Sequence, residues 1–264
     1  MPAGIVLAGG RSSRMGRPKA WLDWHGTPLL RRVCGLVARG TAGPVVVVRA
    51  PGQELPELPS AIRIVEDERE GRGPLQGLLA GLEAVEGEDD IAFVAATDVP
   101  FLHPRFVAAV CRAAARDGVD AAVPHLAGHR QPLLAAYRTS LTPLVAELVA
   151  ADRMKPAFLF ERCAVDWLET APHPESVRNL NAPEDYEAAR AEPPPAVHVR
   201  CFGPLRRPAA DVRAATLGAA AAAVGVALDG HVMAALNGDQ VARDPAEPLA
   251  EGDEVALMAA DAGG

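Results

Sequence analysis

A chain of 264 residues, 49% hydrophobic and with a formal net charge of −8, is long enough for one large domain or two unequal ones, and too acidic for broad nucleic-acid binding, which needs a cationic surface. It holds no apolar run of the roughly 18 residues that a membrane helix requires, and no basic segment followed by a long apolar run at its start, so neither a membrane span nor a signal peptide is expected. Cys34, Cys111, Cys163 and Cys201 lie far apart without a C-x-x-C pair, which signals neither a zinc site nor a disulfide framework and suits the reducing cytoplasm.

Along the first two thirds, apolar runs alternate with helix-length stretches. GIVLA (4–8), PVVVV (44–48), IRIV (62–65), IAFVAA (91–96) and DAAVP (120–124) read as buried strands. TPLLRRVCGLVARG (27–40), GPLQGLLAGLEAVEG (73–87) and HPRFVAAVCRAAARDG (103–118) read as helices. That alternation predicts an α/β, doubly wound, mostly parallel, Rossmann-like sheet, whose ligands bind at the carboxyl ends of the strands. The three prolines of ARAEPPPAV (189–197) deny helix and favour a stiff extended linker. The division expected is therefore a first domain over 1–190, a linker over 191–196 and a second domain over 197–264. In the last, VHVRCF (197–202) alternates as a half-buried strand. ATLGAAAAAVGV (215–226) reads as a short helix with Thr216 as N-cap, and HVMAALNGDQV (231–241) as a hairpin on Asn237-Gly238. EGDEVALMAA (251–260) reads as a turn and last strand, completing a small α+β domain.

The first strand runs into LAGGRSSRMGRPK (7–19). After Leu7 and Ala8, Gly9 and Gly10 permit a sharp turn and close ligand approach to the amides. Ser12 and Ser13 add hydroxyls, and Arg11, Arg14, Arg17 and Lys19 add charge. Fixed cations beside a triphosphate stabilise the charge that builds on its leaving group. The string is neither a Walker loop nor G-x-G-x-x-G; a solvated basic turn is the bland alternative. Asp98, in ATDVP (96–100) directly after a predicted strand, is placed to hold Mg²⁺, or else simply initiates a turn. Asp67, in VEDEREGRGPLQG (65–77), stands before a glycine-proline loop, within a run (Glu66, Asp67, Glu68, Glu70) that also reads as an acidic surface.

LAGGRSSRMGRPK followed by AWLDWHGTPLL resembles the signature of the molybdenum cofactor guanylyltransferase family, part of a larger group of nucleotidyltransferases; the likeness extends over about residues 3–190. The resemblance implies transfer of GMP from GTP to the terminal phosphate of molybdopterin with release of pyrophosphate, and Mg²⁺ on Asp98. It implies catalytic roles for Arg14, Lys19 and Asp98. Nucleotide contacts would come from Leu7, Ala8, Gly9, Gly10, Ser12, Ser13, Lys19, Asp67 and Asp98, with Gly73, Pro74 and Leu75 of the family's G-P-L-x-G loop. GHRQPLLAAY (128–137) and NLNAPEDY (179–186) resemble elements near the acceptor. They offer His129, Arg130, Asn179 and Asn181 to bind it, although an asparagine before a helix is often a cap. One departure stands in VVVVRAP, where Arg49 replaces an asparagine that in the family often contacts nucleotide. Loop residues shared across the group leave a cytidylyltransferase, or an enzyme for another phosphorylated acceptor, as the alternative.

The C-terminal part resembles a different family. VRCFGPLRR (199–207), AALNGDQV (234–241) and PLAEGDEVALMAADAGG (248–264) are similar to the molybdopterin synthase small subunit, a sulfur carrier of the ubiquitin-like β-grasp class; the related thiamine-pathway carrier is a further match. The resemblance implies adenylation of the terminal glycine and its conversion to a thiocarboxylate, with Gly263 and Gly264 as the carrier end. It also implies an adenylating activating enzyme and the synthase large subunit as partners. A tail without side chains can thread a narrow channel; a frayed end that happens to finish in glycine is the ordinary alternative. The residues before Gly263, Ala259-Ala260-Asp261-Ala262, are less apolar than in that family, and the stretch before the helix is shorter. Together the two likenesses predict a bifunctional cytoplasmic protein of molybdenum cofactor biosynthesis. The rival is a sulfur carrier whose first domain binds nucleotide without catalysis.

Overall fold

The computed structural model describes residues 1–9, 18–67 and 72–259. Gly10, Ser12, Ser13, Arg14, Gly263 and Gly264, all expected in functional sites, lie outside the described residues. The chain divides into two compact units, residues 1–22 with 28–183, and residues 23–27 with 184–264.

In chain order the elements before the proline segment are β1 (Ala3–Leu7), the short strands β2 (Asp23–Trp24) and β3 (Thr27–Pro28), α1 (Leu29–Thr41), β4 (Val45–Arg49), β5 (Ile62–Glu66), α2 (Pro74–Ala84), β6 (Ile91–Ala96) and α3 (Pro104–Ala114). They continue with β7 (Ala121–Leu126), β8 (His129–Arg130), β9 (Leu134–Arg138), α4 (Thr142–Ala150), α5 (Pro156–Phe160), β10 (Val165–Leu168) and α6 (Pro183–Ala191). One eight-stranded sheet orders these as β10-β7-β9-β6-β1-β4-β5, with β8 paired to β7. The pairs β6–β1, β1–β4, β4–β5 and β7–β10 are parallel. β9 runs antiparallel between β6 and β7. The sheet is thus mostly parallel, as the alternation predicts. The antiparallel β9, inside the stretch read only for its likeness to an acceptor element, is an addition.

Neighbouring residues of β1 face opposite sides of the sheet, and each side accepts a helix at close range. A Cβ on Gly4 would lie 2.5 Å from Val37 Cγ1 of α1, and one on Gly81 of α2 would lie 2.4 Å from Ile5 Cγ2. Gly77, one helical turn before Gly81, faces Leu7. α2 therefore runs along β1 with its N-terminus toward the carboxyl end of the strand. Ile5, Leu75, Leu78, Leu82, Val94, Tyr137, Val145 and Leu148 fill the core on this side. No helix among the described residues is long and apolar enough to cross a membrane.

The second unit contains β11 (Ala196–Cys201), β12 (Ala210–Arg213), α7 (Leu217–Ala223), β13 (Val232–Leu236), β14 (Gln240–Ala242) and β15 (Glu254–Ala259). Its five-stranded sheet has the order β12-β11-β15-β13-β14, with β11 and β15 parallel and the other pairs antiparallel. Leu217, Ala220 and Ala221 of α7 pack with Val197, Val199, Leu236, Val255 and Leu257 of the sheet. Thr216 caps α7 as expected, its hydroxyl accepting from Ala219 N–H at 3.2 Å. The Asn237-Gly238 turn has positive φ at both positions, 54° and 92°, the geometry that two-residue hairpins favour. Asn237 Nδ2 donates to Asp253 Oδ1 at 2.9 Å, and Asn237 Oδ1 accepts from Glu254 N–H at 3.0 Å. The buried Asp253 also accepts from Ala250 N–H at 2.7 Å.

The proline segment, expected as a linker over 191–196, joins α6 to β11. α6 continues to Ala191 and β11 begins at Ala196, and the prolines are not a free spacer. Pro195 O accepts from Ala214 N–H at 3.0 Å and Pro194 O from Arg213 Nη1 at 3.1 Å. Arg213 ends β12 and Ala214 follows it directly; this short strand escaped the sequence pattern.

Two stability outcomes follow. Gly81→Val should destabilise the first unit by about 1–3 kcal/mol through overpacking against Ile5, whereas Gly230→Ala, with nothing within 4 Å of its Cβ position, should not. Asp253→Ala should cost the second unit about 1–3 kcal/mol by orphaning Ala250 N–H and Asn237 Nδ2. Urea titrations followed by hydrogen exchange on each unit measure both, and unchanged midpoints would contradict the packing described.

Candidate active site

Four adjacent parallel strands, in the order β6, β1, β4 and β5, deliver their carboxyl ends to one edge of the first sheet. The chain leaves them at Asp98, Gly9, Ala50 and Asp67. Thr97 Oγ1 donates to Leu7 O at 2.9 Å and so ties the end of β6 to the end of β1. Beyond Thr97, Asp98 Oδ2 accepts from Lys19 Nζ at 2.7 Å. Their side chains are 17% and 22% exposed, respectively. Lys19 opens a one-turn 3₁₀ helix, Lys19–Trp21, whose Ala20 is buried. Two residues of the same expected role are therefore together at the edge where the alternation places the ligand.

At the end of β1, the amides of Ala8 and Gly9 depart from expectation. Ala8 N–H and Gly9 N–H donate to Val48 O at 2.8 and 3.3 Å, so these amides are engaged within the sheet and do not face an anion. Gly9 serves close approach instead: a Cβ there would lie 3.3 Å from Ala50 N. Gln53, which the sequence reading did not single out, bridges the same two loops. Its Nε2 donates to Ala8 O and its Oε1 accepts from Ala50 N–H, both at 3.0 Å. Arg49, the last residue of β4, is braced by Glu66 Oε1 at 2.8 Å and Gln53 O at 3.1 Å. Its buried Nε has no hydrogen-bond partner among the described residues. Asp67 is half-buried, and its N–H donates to Arg49 O at 2.8 Å. Gly73 has φ +130°, and a Cβ there would lie 2.9 Å from Met154 Cβ. Pro74 then opens α2, where proline suits the helix start, and brings the positive end of the helix dipole to this edge.

The expected acceptor residues separate. Asn179 and Asn181 sit beside Asp98: Leu180 N–H between them donates to Asp98 O at 2.9 Å, and Asn181 Nδ2 donates to Asn179 Oδ1 at 3.1 Å. His129 and Arg130 are exposed on β8, at the same edge but beyond β9. β7, which carries β8, lies two strand spacings from β6, roughly 10 Å. Arg130 stacks on the Trp167 ring with its guanidinium carbon 4.2 Å from the centroid, which fixes the direction of its charge.

Thiol chemistry is disfavoured. Burial pushes the Cys111 thiol up to about 12 and the Cys163 thiol up to about 11, and it also raises Cys34 and Cys201. A thiol held protonated at neutral pH is a poor nucleophile. Among the described residues no group of three or more His, Cys, Asp or Glu could hold a metal ion. A Mg²⁺ ion, however, is commonly held by one or two carboxylates together with substrate phosphates, and the Asp98 carboxylate at the strand end fits that arrangement.

Comparison with known proteins gives the family and the fold. The family model of the MobA-like NTP transferase domain matches residues 4–169. The chain is 40% identical over 162 residues to a probable molybdenum cofactor guanylyltransferase of Mycobacterium tuberculosis, covering 60% of this chain and 79% of the relative. It is 35% identical over 189 residues to one from Mycobacterium avium, covering 70% and 93%. Among solved structures, molybdopterin-guanine dinucleotide biosynthesis protein A of Archaeoglobus fulgidus superposes with a TM-score of 0.57 at 23% identity, over 71% of this chain and 96% of that one. A 4-diphosphocytidyl-2C-methyl-D-erythritol synthase of Anaerococcus prevotii gives 0.55 at 14% identity, over 72% and 95%; both likenesses concern the fold. The chain belongs to the MobA-like NTP transferase family and is a nucleotidyltransferase.

Proposed function

We propose that the first unit transfers GMP from GTP to the terminal phosphate of molybdopterin and releases pyrophosphate. The observation that carries this reading is the Lys19–Asp98 pair at the carboxyl edge, in a chain 40% identical to probable molybdenum cofactor guanylyltransferases. In the nucleotide-free chain the two charges neutralise each other. A triphosphate with its cation offers each a fuller partner: phosphate oxygens for Lys19, the cation for Asp98. Asp98 would hold Mg²⁺, which when bound neutralises phosphate charge.

The chain's own residues account for the rest. Leu7, Ala8 and Gly9 shape the nucleotide floor, with Gly10, Ser12 and Ser13 of the same loop adding donors. Asp67 and the Gly73-Pro74-Leu75 turn line the far side. Asn179 and Asn181, with His129 and Arg130 further along the edge, orient the acceptor. An oxygen of the acceptor phosphate attacks the α-phosphorus in line; a new P–O bond forms, the bond to the β-phosphate oxygen breaks, and pyrophosphate leaves with that electron pair. Lys19 and Arg14 stabilise the charge on the transferring and leaving groups. A phosphate monoester is already largely ionised near neutral pH, so no strong base is needed. Arg49 contributes a braced cation where the family's asparagine would stand, and the braced Arg49–Gln53 loop keeps cytidylyl transfer as the alternative.

A second reading concerns residues 197–264, which we propose to be a β-grasp sulfur carrier joined through the proline segment. The strand order supports it: second, first, fifth, third, fourth, with a parallel central pair and one helix on one face. Gly264 would carry the sulfur as a thiocarboxylate, after activation by an adenylating enzyme and before delivery to the molybdopterin synthase large subunit. The chain would then serve two steps of cytoplasmic molybdenum cofactor synthesis.

Lys19→Ala and Asp98→Ala should each lower kcat by about 100-fold or more while circular dichroism and the unfolding midpoint stay near those of the parent. A near-parental rate in either variant would remove that residue from the mechanism. Mass spectrometry of the C-terminal peptide, from protein made in its own host during active cofactor synthesis, should show the mass gain of oxygen-to-sulfur exchange. Its consistent absence would overturn the carrier reading.

A further inference from the structure

After β6 the chain leaves the sheet, and the segment from Asp98 to His103 crosses to the start of α3 outside any strand pairing. A second segment, His173 to Asn181, lies along it in the opposite direction, contact by contact. Leu180 N–H donates to Asp98 O at 2.9 Å. The Arg178 guanidinium carbon sits 4.0 Å from the centroid of the Phe101 ring. Ser176 Oγ, fully buried, accepts from His103 N–H at 3.1 Å. The His173 ring stacks on the His103 ring with centroids 3.4 Å apart and planes 3° from parallel. His103 is itself the N-cap of α3, its Nδ1 accepting from Arg105 N–H at 3.0 Å. The strap's own turn is closed by Ser176 N–H to His173 O and Arg178 N–H to Glu175 O, each at 3.0 Å. From the inner side, the buried Arg32 of α1 donates from Nε to Pro100 O at 2.8 Å.

We propose that Ser176 and Arg178 are positioning residues for nucleotidyl transfer: through the strap they set the place of Asp98. The geometry gives the reason. The carboxylate that pairs with Lys19 is one residue past Thr97, the last residue tied to β1. Its outward side is held by the strap, through the Leu180 amide. Arg178 stacked on Phe101 keeps that amide in register, and Ser176 on His103 anchors the strap to a helix terminus that cannot drift without losing its cap. An aspartate on an unbraced turn samples many positions, and a misplacement of about 1 Å at a reacting centre costs up to about 100-fold in rate. Arg178 reaches Phe101 and Ser176 reaches His103, both on the segment that follows Asp98, so these contacts act on Asp98 through the strap. The same segment carries Asn179 and Asn181, so the strap also sets the acceptor asparagines against Asp98. This inference rests on Asp98 acting in the transfer reaction.

The test uses the full chain and two readouts. Arg178→Ala should speed amide hydrogen exchange across residues 97–103 in the nucleotide-free protein and leave α2 unchanged. In pyrophosphate release it should lower kcat about tenfold or more with KM for GTP nearly unchanged. Arg178→Lys, which keeps a cation over the ring, should recover most of the rate. Phe101→Leu should reproduce Arg178→Ala, and the double variant should be little worse than either single one, because the two share one contact. Ser176→Ala should act in the same direction from the other anchor. Unchanged exchange over 97–103 in Arg178→Ala and Ser176→Ala overturns the proposal. So does a preserved kcat in Arg178→Ala, since Asp98 would then keep its place without that anchor. If the parent protein released no pyrophosphate, the transfer reading would fall, and unaltered exchange in the variants would separately refute the strap.

Discussion

Lys19 and Asp98 are 79 residues apart in sequence and meet at 2.7 Å because β6 lies in parallel register against β1. That pairing is the constraint on which the site depends. It sets Asp98 one residue past the bond from Thr97 to Leu7 O, where Lys19 meets it. On one side of β1, α2 comes close enough to bury Ile5 and half-bury Leu7, which glycine at positions 81 and 77 permits. A packing requirement in the middle of the sheet thereby becomes a charge arrangement at its edge.

The edge is built largely from backbone acceptors and short bridges. Gln53 joins Ala8 to Ala50, Thr97 joins β6 to β1, and Leu180 joins the strap to Asp98. Each bridge consumes a polar group that would otherwise be left without a partner near the sheet, where an unsatisfied donor or acceptor costs about 1–3 kcal/mol. The second unit follows the same economy: Asp253, though buried, accepts from both Ala250 N–H and Asn237 Nδ2 and so fixes the hairpin turn against the last strand.

Much of this architecture was readable from periodicity and turn chemistry, and the exceptions have physical causes. The runs ending at Leu7, Arg49, Glu66 and Ala96 are apolar along most of their length, and three of them are buried on both faces, the signature of parallel strands. Leu134–Arg138 is just as buried, but its antiparallel insertion between β6 and β7 depends on partners far away in sequence, which a local pattern does not encode. Asn237-Gly238 and Thr216 were recognisable because their roles are local. Gln53, Thr97 and Leu180 were not, because each acts by bonding to the main chain of another element. Gly9 stood out from the sequence, yet the direction of its amide, toward Val48 O, is a property of the neighbouring strand. Asp98 stood out because it ends a strand; that Asn179 and Asn181 flank the residue bonded to it emerged only from the fold.

The central claim is that the Lys19–Asp98 edge catalyses guanylyl transfer. It is tested most directly by pyrophosphate release with Mg²⁺, molybdopterin as acceptor, and GTP, CTP, ATP and UTP supplied in parallel. The account predicts release with GTP and little with the other three. A preference for CTP would keep the edge and its chemistry but contradict the guanine assignment. No release with any nucleotide, from folded protein and a competent acceptor, would contradict the claim itself.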